Sequence, residues 1–156
     1  MLARRAPGEV AMIRYVLCLA LLAATGVSAA ETGAIDIHAL AANEAKRYPQ
    51  PVLVGSLIGR DVVKPVEAQP VIGHVAGFAH RPDGGVDMII QYGGLFGIFS
   101  RQIAVPLEAM ALLGPYAAAL DFTPEQLDQF PTVTPPQATK LAAGDTIRMA
   151  LTRPFH

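Results

Sequence analysis

Between residues 52 and 122 the chain is a succession of short β-rich runs, at 52–63, 71–80, 86–92, 97–105 and 116–122, separated by Gly, Pro and Asp. Several such strands at close spacing predict a small barrel or sandwich. The sharpest turn signal is Pro82-Asp83-Gly84-Gly85, whose glycines take positive φ without a Cβ clash, so 71–80 and 86–92 are predicted to form a hairpin. Thirteen prolines and fourteen glycines in 156 residues supply turns throughout. With 52% apolar and 16% charged residues, the composition suits one compact domain and not a disordered chain or a coiled coil.

Either side of this region the pattern changes. Ile37, Leu40, Ala41, Ala45 and Tyr48 recur at helical spacing with Asn43, Glu44, Lys46 and Arg47 between them, which predicts a short amphipathic helix stopped by Pro49 and Pro51. Thr123-Pro124-Glu125-Gln126 offers a cap, a proline at the first helical position and a glutamine three residues after the cap. A one- or two-turn helix to Phe130 follows, with Leu127 and Phe130 inward. The stretch 132–139, with Pro135-Pro136, reads as an extended linker. In 146–152, Ile147, Met149 and Leu151 share one face, predicting a further strand that covers a barrel edge.

The beginning of the chain has the three-part form of a secretory signal. Arg4, Arg5 and Arg14 precede an apolar run over 15–24, then Thr25, Gly26 and small residues to Ala30. Val27/Ala29 or Ser28/Ala30 supply the small side chains that signal peptidase needs, and cleavage after Ala30 is the expected outcome, with Met12 an alternative start. The apolar run is about half the ~20 residues of a membrane span, which argues against an uncleaved anchor. Cys18 lies inside the apolar segment behind bulky Leu17, so a lipidated cysteine is not expected. Removing the leader removes Cys18, so the mature protein has no disulfide. It also removes Arg4, Arg5, Arg14 and Glu9, leaving nine basic against twelve acidic residues and a net charge of −3. That balance disfavours nucleic acid and anionic lipid as partners.

Several segments taken together resemble a PRC-barrel domain. They are Leu57-Ile58-Gly59-Arg60-Asp61-Val62, Ile72-Gly73-His74-Val75, Gly93-Gly94-Leu95-Phe96-Gly97-Ile98 leading to Ile103-Ala104-Val105-Pro106-Leu107, and Leu120-Asp121-Phe122-Thr123-Pro124-Glu125-Gln126-Leu127. The resemblance covers about residues 52–131 and implies a small, mainly antiparallel β-barrel that serves as an assembly or protein-contact module and carries out no reaction. The loop Lys64-Pro65-Val66-Glu67-Ala68-Gln69-Pro70 departs from the family pattern in lacking a tight glycine turn. The expected organisation is a cleaved signal at 1–30, a helical arm at 31–51, the barrel at 52–131, and an extended linker with a C-terminal strand at 132–156.

The chemistry-bearing residues form no recognisable set. Ser56 and Ser100 lie in predicted strands and not in a nucleophile elbow. His74 and His80 fall on one predicted face, but six strand residues hold them ~20 Å apart, and His38 and His156 lie elsewhere. Asp83 and Asp87 flank the hairpin turn without the spacing of a calcium loop. Gly93-Gly94 lacks the Lys-Ser/Thr of a phosphate loop and reads as a barrel corner, with Gly97 allowing close backbone approach and Ile98, Ile103 and Val105 entering the core. Arg60, Lys64, Arg81 and Arg101 form a patch only if the fold gathers them. The expectation is therefore a non-enzymatic, exported, periplasmic or secreted module with no catalytic, metal or cofactor-binding residues and a protein as partner. The alternatives are a small-ligand carrier using the barrel mouth, or a ribosome-associated factor if the leader is misread.

Overall fold

The computed structural model describes residues 35–94, 99–136 and 139–152. The leader, the cleavage site, Cys18, Gly97, Ile98 and His156 lie outside them. The described chain is mainly β: helix α1 (Ile37–Ala45), strands β1 (Gln50–Leu53), β2 (Asp61–Val63), β3 (Val71–His80), β4 (Val86–Tyr92), β5 (Arg101–Pro106), β6 (Met110–Leu113) and β7 (Tyr116–Ala119), helix α2 (Pro124–Asp128) and strand β8 (Thr146–Leu151). One-turn 3-10 helices at Val54–Ser56 and Leu107–Ala109 link β1 towards β2 and β5 to β6.

The eight strands form one sheet in the order β1-β8-β6-β7-β2-β3-β4-β5. The expected antiparallel barrel is corrected in two respects. The sheet is mixed, because β2 runs parallel to β7 and β6 parallel to β8. It is also open, with β1 and β5 as its outer strands. The predicted hairpin is present, His80 pairing with Val86 across the turn. The 146–152 segment forms the expected strand, yet it lies inside the sheet between β1 and β6, and β1 takes the edge. Leu151 is 44% exposed, so the inward face of β8 is Ile147 and Met149.

Other departures have local causes. The run 52–63 breaks after Leu53 into a 3-10 turn, and Gly59 at φ +84° re-aims the chain before β2. Strand β5 is described from Arg101, and Phe99 before it sits at φ +63°, outside the strand region, whereas the predicted start at Gly97 lies outside the described residues. Strand β6 was not expected: Met110-Ala111-Leu112-Leu113 has no β-branched residue, and its pairing through the Gly114-Pro115 turn with β7 makes it a strand. Helix α1 ends at Ala45, with Tyr48 at φ +54° and 80% exposed instead of inward. Its inward stripe is Ile37, Leu40 and Glu44, with Arg47 half-buried beyond its end, while Ala41 and Ala45 face solvent. The α2 capping box of Thr123 and Gln126 forms as predicted, and Leu127 is fully buried.

One hydrophobic cluster joins all parts of the described chain. Leu40 of α1, Val54, Leu57, Val75, Phe78, Met88, Ile90, Ile103, Val105, Met110, Leu127, Ile147 and Met149 belong to it. The N-terminal arm and the C-terminal strand therefore pack on their own domain. In β3 the register shifts between Val75 and Gly77, so Ala76 is an extra residue and the alternation reverses. Val75 and Phe78, three apart, both face the core as a result. Because Met149 is fully buried in this cluster, Met149→Ala is expected to cost about 2–5 kcal/mol in urea unfolding, whereas the same truncation at exposed Leu151 should change stability little.

Candidate functional site

Behind the core face of β3, β4 and β5 lies a second face with its own occupants. Gly77 pairs with Ile89, and Ile89 with Ala104. Ala79 pairs with Asp87, and Asp87 with Pro106. Strand alternation puts these residues opposite Phe78, Met88, Ile90, Ile103 and Val105. The chain after α2 then crosses this outer face. Val133 N–H donates to the Gln102 carbonyl of β5 (2.8 Å), and Leu141 N–H donates to the Phe78 carbonyl of β3 (3.0 Å), where Lys140 also bridges Ala79. The stretch read as a linker is thus tied to the sheet at both ends. Between these ties lies a groove of about 600 Å3, lined by Ala79, Ile89 and Ala104 of the sheet and by Val133, Pro135 and Pro136.

A charge cluster closes one end of this groove. Arg81, next to the hairpin turn, donates to Asp87 (3.0 Å) and in bidentate fashion to Glu108 (2.6 and 3.0 Å). It also reaches Asp83 (3.1 Å), which in turn accepts from Gly85 N–H (2.9 Å). The guanidinium lies across Gly85: a Cβ there would sit 2.0 Å from its terminal nitrogen. These partners hold the Arg81 pKa above the ordinary arginine value, led by the Glu108 hydrogen bonds. Burial raises Asp87 despite the hydrogen bond to Arg81, whereas the Gly85 amide and Arg81 lower exposed Asp83. On the neighbouring α1, burial raises Glu44 and the charge of Glu108 adds to it, against Arg148 and Arg47.

Three further arginines are engaged elsewhere. Arg47 forms a bidentate pair with Asp121 (2.7 Å for both bonds), fixing the end of α1 to the chain after β7. Arg101 donates to the carbonyls of Leu127 (3.0 Å), Asp128 (2.7 Å) and Phe130, and lies over the Tyr92 ring. Burial pushes the Tyr92 hydroxyl up to about 12, helped by Asp128. Arg60 donates to the carbonyls of Ser56 and Gly114. Arg60, Lys64, Arg81 and Arg101 therefore have separate neighbourhoods and form no common patch.

The other residues singled out in the sequence are equally dispersed. Ser56 lies in a 3-10 turn, not a strand, and donates to the Leu53 carbonyl (2.8 Å). Ser100 precedes β5 and accepts from Gln91 Nε2 (2.6 Å). His38 and His74 are exposed. The shared face expected for His74 and His80 is corrected by the extra residue at Ala76, which puts them on opposite faces. Gly93 and Gly94 adopt φ +70° and +80°, the left-handed backbone of a sharp corner. Among the described residues no cluster of three or more His, Cys, Asp or Glu is arranged to hold a metal ion. No described helix is long and apolar enough to cross a membrane.

Sequence reading missed the groove and the role of Arg81. The Pro-rich stretch and the hairpin acids were visible, but Glu108 lies 27 residues from Arg81 and only the fold joins them. No family model, curated protein or solved structure matches the chain.

Two outcomes follow from the charge cluster. Gly85→Ala displaces the guanidinium from its carboxylates and should cost about 1–3 kcal/mol, measured by chemical denaturation, with Arg81→Met showing a loss of the same order. Glu44 holds its proton more tightly folded than unfolded, so its stabilising contribution is full below the unfolded carboxyl pKa and lost as pH rises through the raised folded value. Glu44→Gln should therefore raise the thermal midpoint at pH 7 relative to wild type, and the gain should shrink towards pH 4.

Proposed function

We propose that this chain is a non-catalytic, exported module of PRC-barrel type that binds another protein in the periplasm or outside the cell. The observation that carries the reading is the apolar groove over Ala79, Ile89 and Ala104 beneath the crossing segment. Apolar grooves with a polar border are where soluble proteins take up partners. The charges nearest it are tied to one another through Arg81, so the groove offers an apolar contact surface beside an acidic rim.

Three further features support the family assignment and the location. The β3–β4–β5 meander and, later in the chain, strand β7 followed by the capped helix α2 fall in the segments that carry the resemblance. Gly93-Gly94, read as a corner, has the left-handed backbone of a sharp bend. The leader has the composition of an export signal. A groove of this size also suits a small apolar ligand, which keeps a carrier as the second reading.

A photo-crosslinking residue at Thr134, irradiated in intact cells producing the full-length protein, separates the two. The account predicts a discrete protein adduct that disappears when Ala104→Trp fills the groove from its floor. Absence of any adduct, together with Ala104-dependent binding of an apolar fluorophore such as 1-anilinonaphthalene-8-sulfonate by the purified protein, would make it a carrier instead.

A further inference from the structure

The backbone of β5 indicates what kind of protein segment the groove accepts. Residues along an antiparallel strand alternate between turning both backbone groups to one neighbour and turning both to the other. Pro106 has no N–H and pairs with Asp87, which suits a position that makes no bonds to β4. The Gln102 carbonyl, four residues earlier, also turns away from β4, because it accepts from Val133. Ala104 lies between them in the same phase, so its N–H and C=O point to the free side of β5. Among the described residues no backbone hydrogen bond reaches that side of Ala104.

The opening is framed at one end by Val133 on Gln102 and at the other by Pro106. Its inner wall is the groove, because Ala104 lines both. At its far end one guanidinium faces the three carboxylates Asp83, Asp87 and Glu108, an excess of negative charge.

From this juxtaposition we infer that Ala104 is the docking point of an extended peptide segment of a partner protein, which adds to β5 as a short strand. Its backbone bonds to Ala104, a β-branched or aliphatic side chain enters the groove over Ile89, and a lysine or arginine lies against the Arg81 carboxylates. Strand addition of this kind draws affinity from main-chain bonds and selectivity from the alternate side chains that enter pockets. The inference rests on the protein-binding reading and specifies its partner chemistry.

The test uses fluorescein-labelled Ac-Lys-Val-Thr-Val-Thr-Lys-amide and the full mature protein, read by fluorescence polarisation. Ala104→Pro removes the outward donor at a position equivalent to that of Pro106, which the edge already tolerates, and a thermal melt verifies that the variant is folded. Saturable binding is expected, weakened about tenfold by Ala104→Pro, as for one or two lost backbone hydrogen bonds. N-methylation of alternate peptide amides should weaken it similarly, and replacing both lysines by glutamate should weaken it further. If Ala104→Pro and the methylated peptide bind like their parents while Ala104→Trp abolishes binding, the groove takes side chains without strand addition and the inference is overturned, although the protein-binding reading survives. No binding of the peptide to wild type overturns the inference too, and the Thr134 adduct then decides the broader reading independently.

Discussion

A proline in a strand constrains its neighbours, and Pro106 constrains the whole outer side of this sheet. Lacking an N–H, it is placed where no bond to β4 is required, and that choice fixes the phase of every residue in β5. Ile103 and Val105 bond to β4 and send their side chains into the core, where both are fully buried. Gln102 and Ala104 turn outward, so Gln102 receives the crossing segment, while no backbone bond from the described residues reaches Ala104. A shift by one residue would send Ile103 and Val105 to the outer face and remove the groove floor together.

The two faces are held by different forces. The core face is closed by apolar side chains contributed from α1 through β8, so neither end of the described chain is an appendage. Hydrophobic burial of this kind has no direction and tolerates the open sheet. The outer side depends on directed contacts instead: two backbone bonds anchor the crossing segment, and Arg81 ties the hairpin turn to Glu108. Gly85 makes room for that tie, which is a packing role separate from the positive φ of Gly84 in the same turn.

Much of the architecture was legible in the sequence because it is encoded locally. The Pro82-Asp83-Gly84-Gly85 turn and the Thr123 capping box each need only neighbouring residues. What escaped depends on distant partners. Arg47 looks like part of a solvated helix face, yet it is held inward by the distant Asp121, and Glu44 is carried inward as α1 packs on the Leu107–Ala109 turn, beside the like charge of Glu108. Strand β6 has helix-favouring residues and becomes a strand by pairing on both sides. The extra residue at Ala76, which separates His74 from His80, leaves no mark in composition. The groove is invisible for the same reason, since its floor (Ala79, Ile89, Ala104) and its roof (Val133 to Pro136) lie about thirty to nearly sixty residues apart in sequence.

Amide hydrogen exchange resolved by residue along β5 tests the central geometry most directly. The account predicts slow exchange at Ile103 and Val105, bonded to β4, and exchange faster by orders of magnitude at Ala104 between them. Equal protection at all three amides, or a protected Ala104 between fast-exchanging neighbours, would contradict the phase assigned to the strand and with it the open edge.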